Sequence, residues 1–311
     1  MPFAVAALSH TPMFGRIDPG GSMLEEVNAA IGRVRGFIET FDPEVIVSFG
    51  PDHLNGVLYE MMPSFAIGAQ AEGVGDWGTR RGPLPVDAGT ARLLHAEVLG
   101  RDIDVARSER LKVDHGMLQS LELIFGAGLP RPFVPVFVNS IGKPLGPMRR
   151  VRLFGEALGA AAATLGKRVL FTASGGLSHD PPVADFETGT PEVRERITHA
   201  DITPEQIAQR EAAVLAAGKR RAAGEGPAKL ANEPWDREVL RVLASGDLSQ
   251  ADAWTSDWVL EGGAGAHEIR AWLAAYAALS AGGRYETVEE NYWASRPWGC
   301  GFGIVTVQSV P

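Results

Sequence analysis

The chain has 311 residues, with 29 Lys+Arg against 38 Asp+Glu for a formal charge of −9, together with 37 glycines, 21 prolines and one cysteine, Cys300. That acidic balance argues against a nucleic-acid or anionic-membrane footprint, each of which needs clustered positive charge, and one cysteine excludes an internal disulfide framework. No apolar run approaches the ~18 residues of a membrane span, and the opening MPFAVAALSHTP lacks the basic region of a secretory signal, so the expectation is a cytosolic protein rich in turns.

Phe3 to Leu8 is an apolar run read as the first strand. Ser22-x-x-Glu25 reads as a capping box, and Leu24, Val27, Ile31, Val34 and Ile38 recur at helical spacing until Asp42-Pro43. Glu44 to Phe49 is a buried-type strand ending in Gly50-Pro51. Helical patterns follow in TARLLHAEVL (90–99) and MLQSLELIF (117–125), then strands at 133–139 and 167–174 with an alanine-rich helix near 147–165 between them. Strands alternating with helices predict an α/β fold with a central, largely parallel or mixed sheet flanked by helices. From Asp180 to Asn232 the pattern changes. Pro181-Pro182 breaks the chain, and Thr203-Pro204-Glu205 reads as an N-cap with proline at the first helical position. The charged helix after it ends in Lys219, Arg220 and Arg221, read as a solvated face or an oligomer contact. Helices near 235–244 and 266–280 and a strand at 301–308 complete the chain. With no repeat or linker to divide it, residues 1–311 are read as a single elaborated domain with a helical insertion around 180–232.

The placement of the histidines is the informative feature. His10, His53 and His179 each fall just beyond a predicted strand, in LSHTP, FGPDHLN and SGGLSHDPP. In open α/β sheets ligands gather at the carboxyl ends of the strands, so three distant histidines can meet in one crevice. His115, in VDHG, occupies a similar loop position, whereas His95 in a helix and His199 in a polar stretch carry no such signal. A metal site with open coordination positions needs a carboxylate beside its imidazoles. Glu268, after the glycine-rich turn EGGAGAHE, is the best candidate; the rival roles are a helix-dipole contact for Glu268 and ligation by His267 instead. The pair is not a zincin motif, because HExxH would need histidine where Ala271 stands. Two further patterns fail. Gly73 to Gly78 matches GxGxxG but is followed by TRRGPLP instead of a helix, so a pyrophosphate would lack its helix N-terminus. Ser178-His179-Asp180 cannot relay a proton, since consecutive side chains diverge.

With SHTP at 9–12, GPDH at 50–53, VDHG at 113–116, SGGLSHDPP at 174–182, NEPWD at 232–236, HEIRAW at 267–272 and a terminal GFG at 301–303, the chain resembles the class III, or LigB-type, extradiol ring-cleaving dioxygenases from end to end. The resemblance implies a LigB-like α/β fold and a non-haem Fe(II) held by His10, His53 and Glu268. It further implies that His179 is the proton acceptor and His115 the proton donor. The implied partners are a small-molecule catechol and O2, with no organic cofactor, and higher homo-oligomers are usual in the family. Within the family the likeness points to members taking a catechol with a propionate or acrylate side chain. Its carboxylate binder is not identified: Arg80, Arg81 and Lys143 are read as solvated. Asp180 departs from the neutral residue expected beside His179, and a carboxylate there is expected to raise the histidine's pKa. Asp114 either orients His115 or caps the following helix. The rivals are a same-family dioxygenase acting on another catechol or an aminophenol and, from other classes, a metal-dependent hydrolase on a related scaffold and a non-catalytic, Memo-like interaction protein, which would have lost one or more of these histidines.

Overall fold

The computed structural model describes residues 2–129, 131–199, 203–225 and 231–310. In chain order the elements are β1 (Phe3–Leu8), α1 (Met23–Phe41), β2 (Val45–Gly50), β3 (Phe65–Gly68), β4 (Ala71–Val74), β5 (Arg81–Pro83) and α2 (Ala88–Leu99). There follow β6 (Ala106–Ser108), β7 (Leu111–Val113), α3 (His115–Phe125), β8 (Val134–Val138), α4 (Met148–Ala163) and β9 (Val169–Ser174). The remainder comprises α5 (Pro191–His199), α6 (Pro204–Ala222), α7 (Glu233–Ala244), α8 (Ser256–Glu261), α9 (Ile269–Ser280), β10 (Tyr285–Ser295) and β11 (Cys300–Ser309).

Eight strands form the main sheet in the order β10-β11-β1-β9-β2-β8-β3-β6. Its centre is parallel, with β1 beside β9, β9 beside β2 and β2 beside β8. The flanks turn it into a mixed sheet: β11 is antiparallel to β1, and β3 is antiparallel to β8. The two-residue period of β1 divides the core. Phe3, Val5 and Ala7 pack into one layer with α4, α7 and α9, while Ala4, Ala6 and Leu8 face the layer of α1 and α3. Both faces are covered, which is why the central strands read as continuous apolar runs. The accessible surface of 12848 Å² matches the ~12,600 Å² that surface scaling gives for a folded chain of this mass. None of the described helices is long and apolar enough to cross a membrane.

Because β1, β2 and β9 run in parallel, the chain leaves all three at the same edge, with Leu8 level with Ser174. The loops carrying His10, His53 and His179 begin there. A second sheet of three strands, β5-β4-β7, was not foreseen from the alternation of strands and helices. It sets β4 parallel to β7 with Gly73 beside Val113, so the residues just after each strand, Asp76 and Asp114, emerge side by side.

Local signals fared unevenly. The Thr203 cap is a full capping box with Gln206. The Ser22 box is not formed: Ser22 has helical backbone angles and makes no side-chain cap, its hydroxyl going instead to Glu26 Oε1 at 2.5 Å. Glu26 stands at i+4 from Ser22, on the same helix face and within reach of its hydroxyl. Along the α1 stripe Val27, Ile31, Val34 and Ile38 are buried, and Leu24 packs at its edge.

The glycines of α1 and α4 make the packing testable. A Cβ at Gly159 would meet the Ala278 backbone of α9, whereas a Cβ at Gly36 would meet nothing within 4 Å. Gly159→Ala is therefore expected to destabilise the fold by about 1–3 kcal/mol through overpacking. Gly36→Ala should stabilise it by roughly 0.5–1 kcal/mol through helix propensity. Denaturant titration of both variants reads the opposite signs.

Candidate metal and catalytic site

The strand-end loops converge on Glu268. This residue closes a 3-10 turn, Ala264–Glu268, and sits at the N-cap position of α9 without a side-chain cap bond. Its carboxylate is therefore free of a capping bond and turned into the loop cluster. Oε1 lies 3.1 Å from His53 Nε2 and 3.3 Å from His179 Nε2, and Oε2 lies 3.7 Å from His10 Nε2. Oε2 also accepts the Gly176 N–H at 2.6 Å. The close approach on the His179 side requires glycine at 265, where a Cβ would overlap the imidazole ring.

Hydrogen bonds behind each ring decide which nitrogen faces the centre. Ser120 donates its hydroxyl to the Leu8 carbonyl, so Ser174 Oγ, 2.8 Å away, donates to Ser120 and can only accept from His10 Nδ1 at 3.2 Å. The lone pair of His10 Nε2 is thereby aimed at the cluster. Burial pushes His10 down to about 3, against the opposing pull of Glu268, so the ring is neutral at ordinary pH. Burial also disfavours charge on His53, yet the Asp114 and Glu268 carboxylates prevail and raise it well above 6.5. Glu268 itself is held well below the usual carboxylate range: the surrounding histidines outweigh its own burial.

The Asp114 alternatives resolve toward capping, with an addition. Oδ1 caps α3 through the Gly116 N–H, while Oδ2 accepts from the His53 N–H at 2.9 Å and from His53 Nδ1 at 3.0 Å. Asp114 thus orients His53; it stands 3.7 Å from His115 Nδ1. The carboxylate behind His115 is Asp76, whose Oδ2 lies 2.5 Å from Nδ1 and whose Oδ1 accepts the His115 N–H at 2.9 Å. Asp76 lies inside the glycine-rich segment set aside as a dinucleotide motif. That segment is indeed followed by β5 instead of a helix, but its aspartate belongs to the site. His115 stacks on His53, ring centroids 4.4 Å apart, with Trp77 edge-on at 6.0 Å.

His179 is held by a frame that the sequence showed only as NEPWD. Asp236 accepts from the Ser178 N–H and Ser178 Oγ, both at 2.6 Å, and from Tyr292 Oη at 2.7 Å. His179 Nδ1 donates to the Leu177 carbonyl at 2.8 Å. Burial works against the charged ring, but Glu268 and that carbonyl raise its pKa. Asp180 has a structural role: its Oδ1 accepts the Ala264 N–H at 2.7 Å and fastens the Glu268 turn, while the leading influences that raise His179 are Glu268 and the Leu177 carbonyl. His267 is displaced from the cluster. Burial lowers it to about 4, with Arg270 and Lys143 adding to the shift. His95 hydrogen-bonds the Val105 carbonyl and His199 ends α5 in solvent.

The five predicted residues all line one cavity of about 600 Å³, a size ordinary for a small-molecule site. Arg221, read from the sequence as part of a solvated face, also lines it and donates to the Trp298 carbonyl at 3.2 Å. Potential metal donors are plentiful: ligand atoms of His10, His53 and His115 lie within 4.8 Å of one another, as do those of Asp76, Asp114 and His115.

Residues 4–303 match the family described as the catalytic LigB subunit of aromatic ring-opening dioxygenase. The chain belongs to this LigB family. A Rhodococcus sp relative named 2,3-dihydroxyphenylpropionate/2,3-dihydroxicinnamic acid 1,2-dioxygenase is 50% identical, covering 100% of this chain and 99% of its own. Relatives of the same name from Rhodococcus jostii (strain RHA1) and Mycolicibacterium smegmatis are 48% and 46% identical, covering 100% and 98% of this chain and 99% and 98% of theirs. Among solved structures, an uncharacterized Escherichia coli K12 protein aligns over 100% of both chains at 16% identity, with a TM-score of 0.45. The LigB assignment makes the protein an extradiol catechol dioxygenase, and family members of this kind are metal-dependent.

A divalent cation held by His53 and Glu268 would displace the proton between them, so metal affinity at this site should rise as pH climbs from 6.5 through the raised pKa of His53. Anaerobic Fe(II) calorimetry in buffers of differing ionisation enthalpy reads the released proton. An affinity independent of pH over that range is the contrary result.

Proposed function

We propose that this LigB protein is a non-haem Fe(II) enzyme that cleaves 3-(2,3-dihydroxyphenyl)propionate, and its 2,3-dihydroxycinnamate counterpart, next to the diol with O2. The observation that carries the reading is the convergence of His10, His53 and His179 on one buried carboxylate, Glu268, beside an aspartate-backed His115. The relatives' names supply the substrate class.

His10, His53 and Glu268 are assigned as the iron ligands. The donor set fits: His10 is neutral with Nε2 free, Asp114 orients His53 from behind, and Glu268 is ionised. Two imidazoles and one carboxylate on one face leave positions open for further ligands. The chemistry supplied at that position is chelation of both catechol oxygens and activation of dioxygen beside them. His267 does not line the cavity and is set aside as a ligand.

We assign His179 as the base and His115 as the acid, each working through Nε2 because its Nδ1 is spent on a rear partner. His179 donates through Nδ1 to Leu177, so Nε2 is its working atom and accepts the proton of a substrate hydroxyl. His115 donates through Nδ1 to Asp76, which fixes its tautomer and compensates positive charge on the ring. Its Nε2 is thereby suited to give a proton to the oxygen that departs as the ring opens. We read residues 1–311 as one catalytic unit working as a homo-oligomer in the cytosol, where the lone buried thiol of Cys300 and ferrous iron both stay reduced.

The decisive experiment is anaerobic Fe(II) reconstitution followed by 2,3-dihydroxyphenylpropionate and oxygen. A yellow ring-fission product with matched oxygen uptake is expected, and turnover of no catechol is the refuting result. His10→Ala and His53→Ala should lose iron, whereas His115→Ala and His179→Ala should keep it and lose about 100-fold or more in kcat. Full iron content in the first pair contradicts the ligand assignment.

A further inference from the structure

The helical insertion brings arginines to the cavity for which the reaction chemistry has no use. Arg196 lies in α5 and Arg210 in α6, and both line the same cavity as His53, His115 and Glu268. The two helices are docked on the site by specific contacts. Ile197, next to Arg196, packs fully buried against Leu54 and Ile141, and its carbonyl accepts the Tyr59 N–H at 2.8 Å. Glu211, next to Arg210, accepts the Trp77 N–H. Arg210 Nη1 reaches Asn55 Oδ1 at 3.5 Å, and the Asn55 amide donates to Asp114 Oδ2 at 2.9 Å, so Arg210 stands one residue from the support of His53.

These guanidiniums are uncompensated. Among the described residues no carboxylate lies within ion-pair distance of either. The acids that share the cavity are committed elsewhere: Asp76 to His115, Glu268 to the histidines, Asp180 to the Ala264 N–H and Glu211 to the Trp77 N–H. Burial lowers the pKa of both arginines, and the charge of Arg196 lowers that of Arg210 further. Two half-buried cations that repel each other next to a reaction centre are costly unless an anion joins them. By contrast, Arg80, Arg81 and Lys143 do not line the cavity; Lys143 pairs with Asp185 at 2.9 Å.

We propose that Arg196 and Arg210 form the subsite for the substrate's side-chain carboxylate, so that the 180–232 insertion sets specificity for catechols bearing an anionic chain. The assignment rests on the ring-cleavage reading for the catechol half of the ligand, but the carboxylate half can be tested alone. Paired guanidiniums hold a carboxylate by charge-assisted, geometrically selective bonds. The anion also removes the repulsion between them, which favours an acidic chain over a neutral one of equal size.

Two measurements separate the proposal from its parent. Calorimetry of metal-free protein with 3-phenylpropionate, which has the carboxylate but no diol, needs neither iron nor turnover. Binding should exceed that of 3-phenylpropionamide and weaken about 10- to 100-fold in Arg196→Met and Arg210→Met, with Arg210→Lys weakened less than Arg210→Met. In the Fe(II) enzyme the same Met variants should raise KM for 2,3-dihydroxyphenylpropionate over kcat and so erase the preference over 3-propylcatechol. Equal wild-type affinity for acid and amide, or parallel KM increases for both catechols, overturns the subsite while leaving ring cleavage intact. Selective acid binding lost in the variants, in an enzyme that cleaves no catechol, supports the subsite and overturns only the parent reading.

Discussion

A fully buried carboxylate surrounded by three imidazoles is the constraint around which the rest of the site is arranged. Glu268 could not remain ionised in that position alone, because transfer of an isolated charge from water is far costlier than any single hydrogen bond repays. The imidazoles of His53 and His179 and the Gly176 N–H supply the compensation. The groups packed on it come from the loops that follow β1, β2 and β9, so this one side chain ties together those strand ends and the start of α9. The same arrangement gives a divalent cation a pre-assembled anionic centre.

Around that centre lies a ring of carboxylates that touch the histidines and not the reacting atoms. Asp114 fixes His53, Asp76 fixes His115, and Asp236 fixes the Ser178 backbone from which His179 projects. An imidazole whose rear nitrogen donates to a carboxylate or carbonyl has one tautomer and one orientation. These rear contacts give chemically identical side chains different surroundings. His10 faces a serine hydroxyl and is kept neutral; His179 faces a carbonyl, and His115 a carboxylate.

The two sheets have separate tasks. The main sheet aligns strand ends and so gathers His10, His53 and His179. The small β5-β4-β7 sheet aligns Asp76 with Asp114 and so delivers the supports. The insertion helices α5 and α6 belong to neither sheet; they close the cavity from the outside and bring it positive charge in an acidic protein. A net charge of −9 is no obstacle to a local cationic pocket, since solvent screens distant charges over about 8–10 Å.

Much of this was legible in the residues themselves. The apolar runs of β1, β2 and β9, and the recurrence of a histidine just beyond each, are local patterns set by burial and by the geometry of parallel strands, and they located His10, His53 and His179. The glycine-rich turn pointed to Glu268 in the same way. What the sequence could not convey is which carboxylate stands behind which ring. Asp76 sits in a segment without periodicity, and it meets His115 only because β4 and β7 pair across an intervening helix and two strands. Arg221 read as solvated charge and Arg196 and Arg210 carried no signal, since a helix with one shallow apolar stripe looks the same whether it faces water or roofs a cavity. Local periodicity determined the elements and the identity of the histidines; tautomers, rear partners and the charge lining the cavity were decided by tertiary structure, because each depends on contacts between segments that no sequence spacing relates.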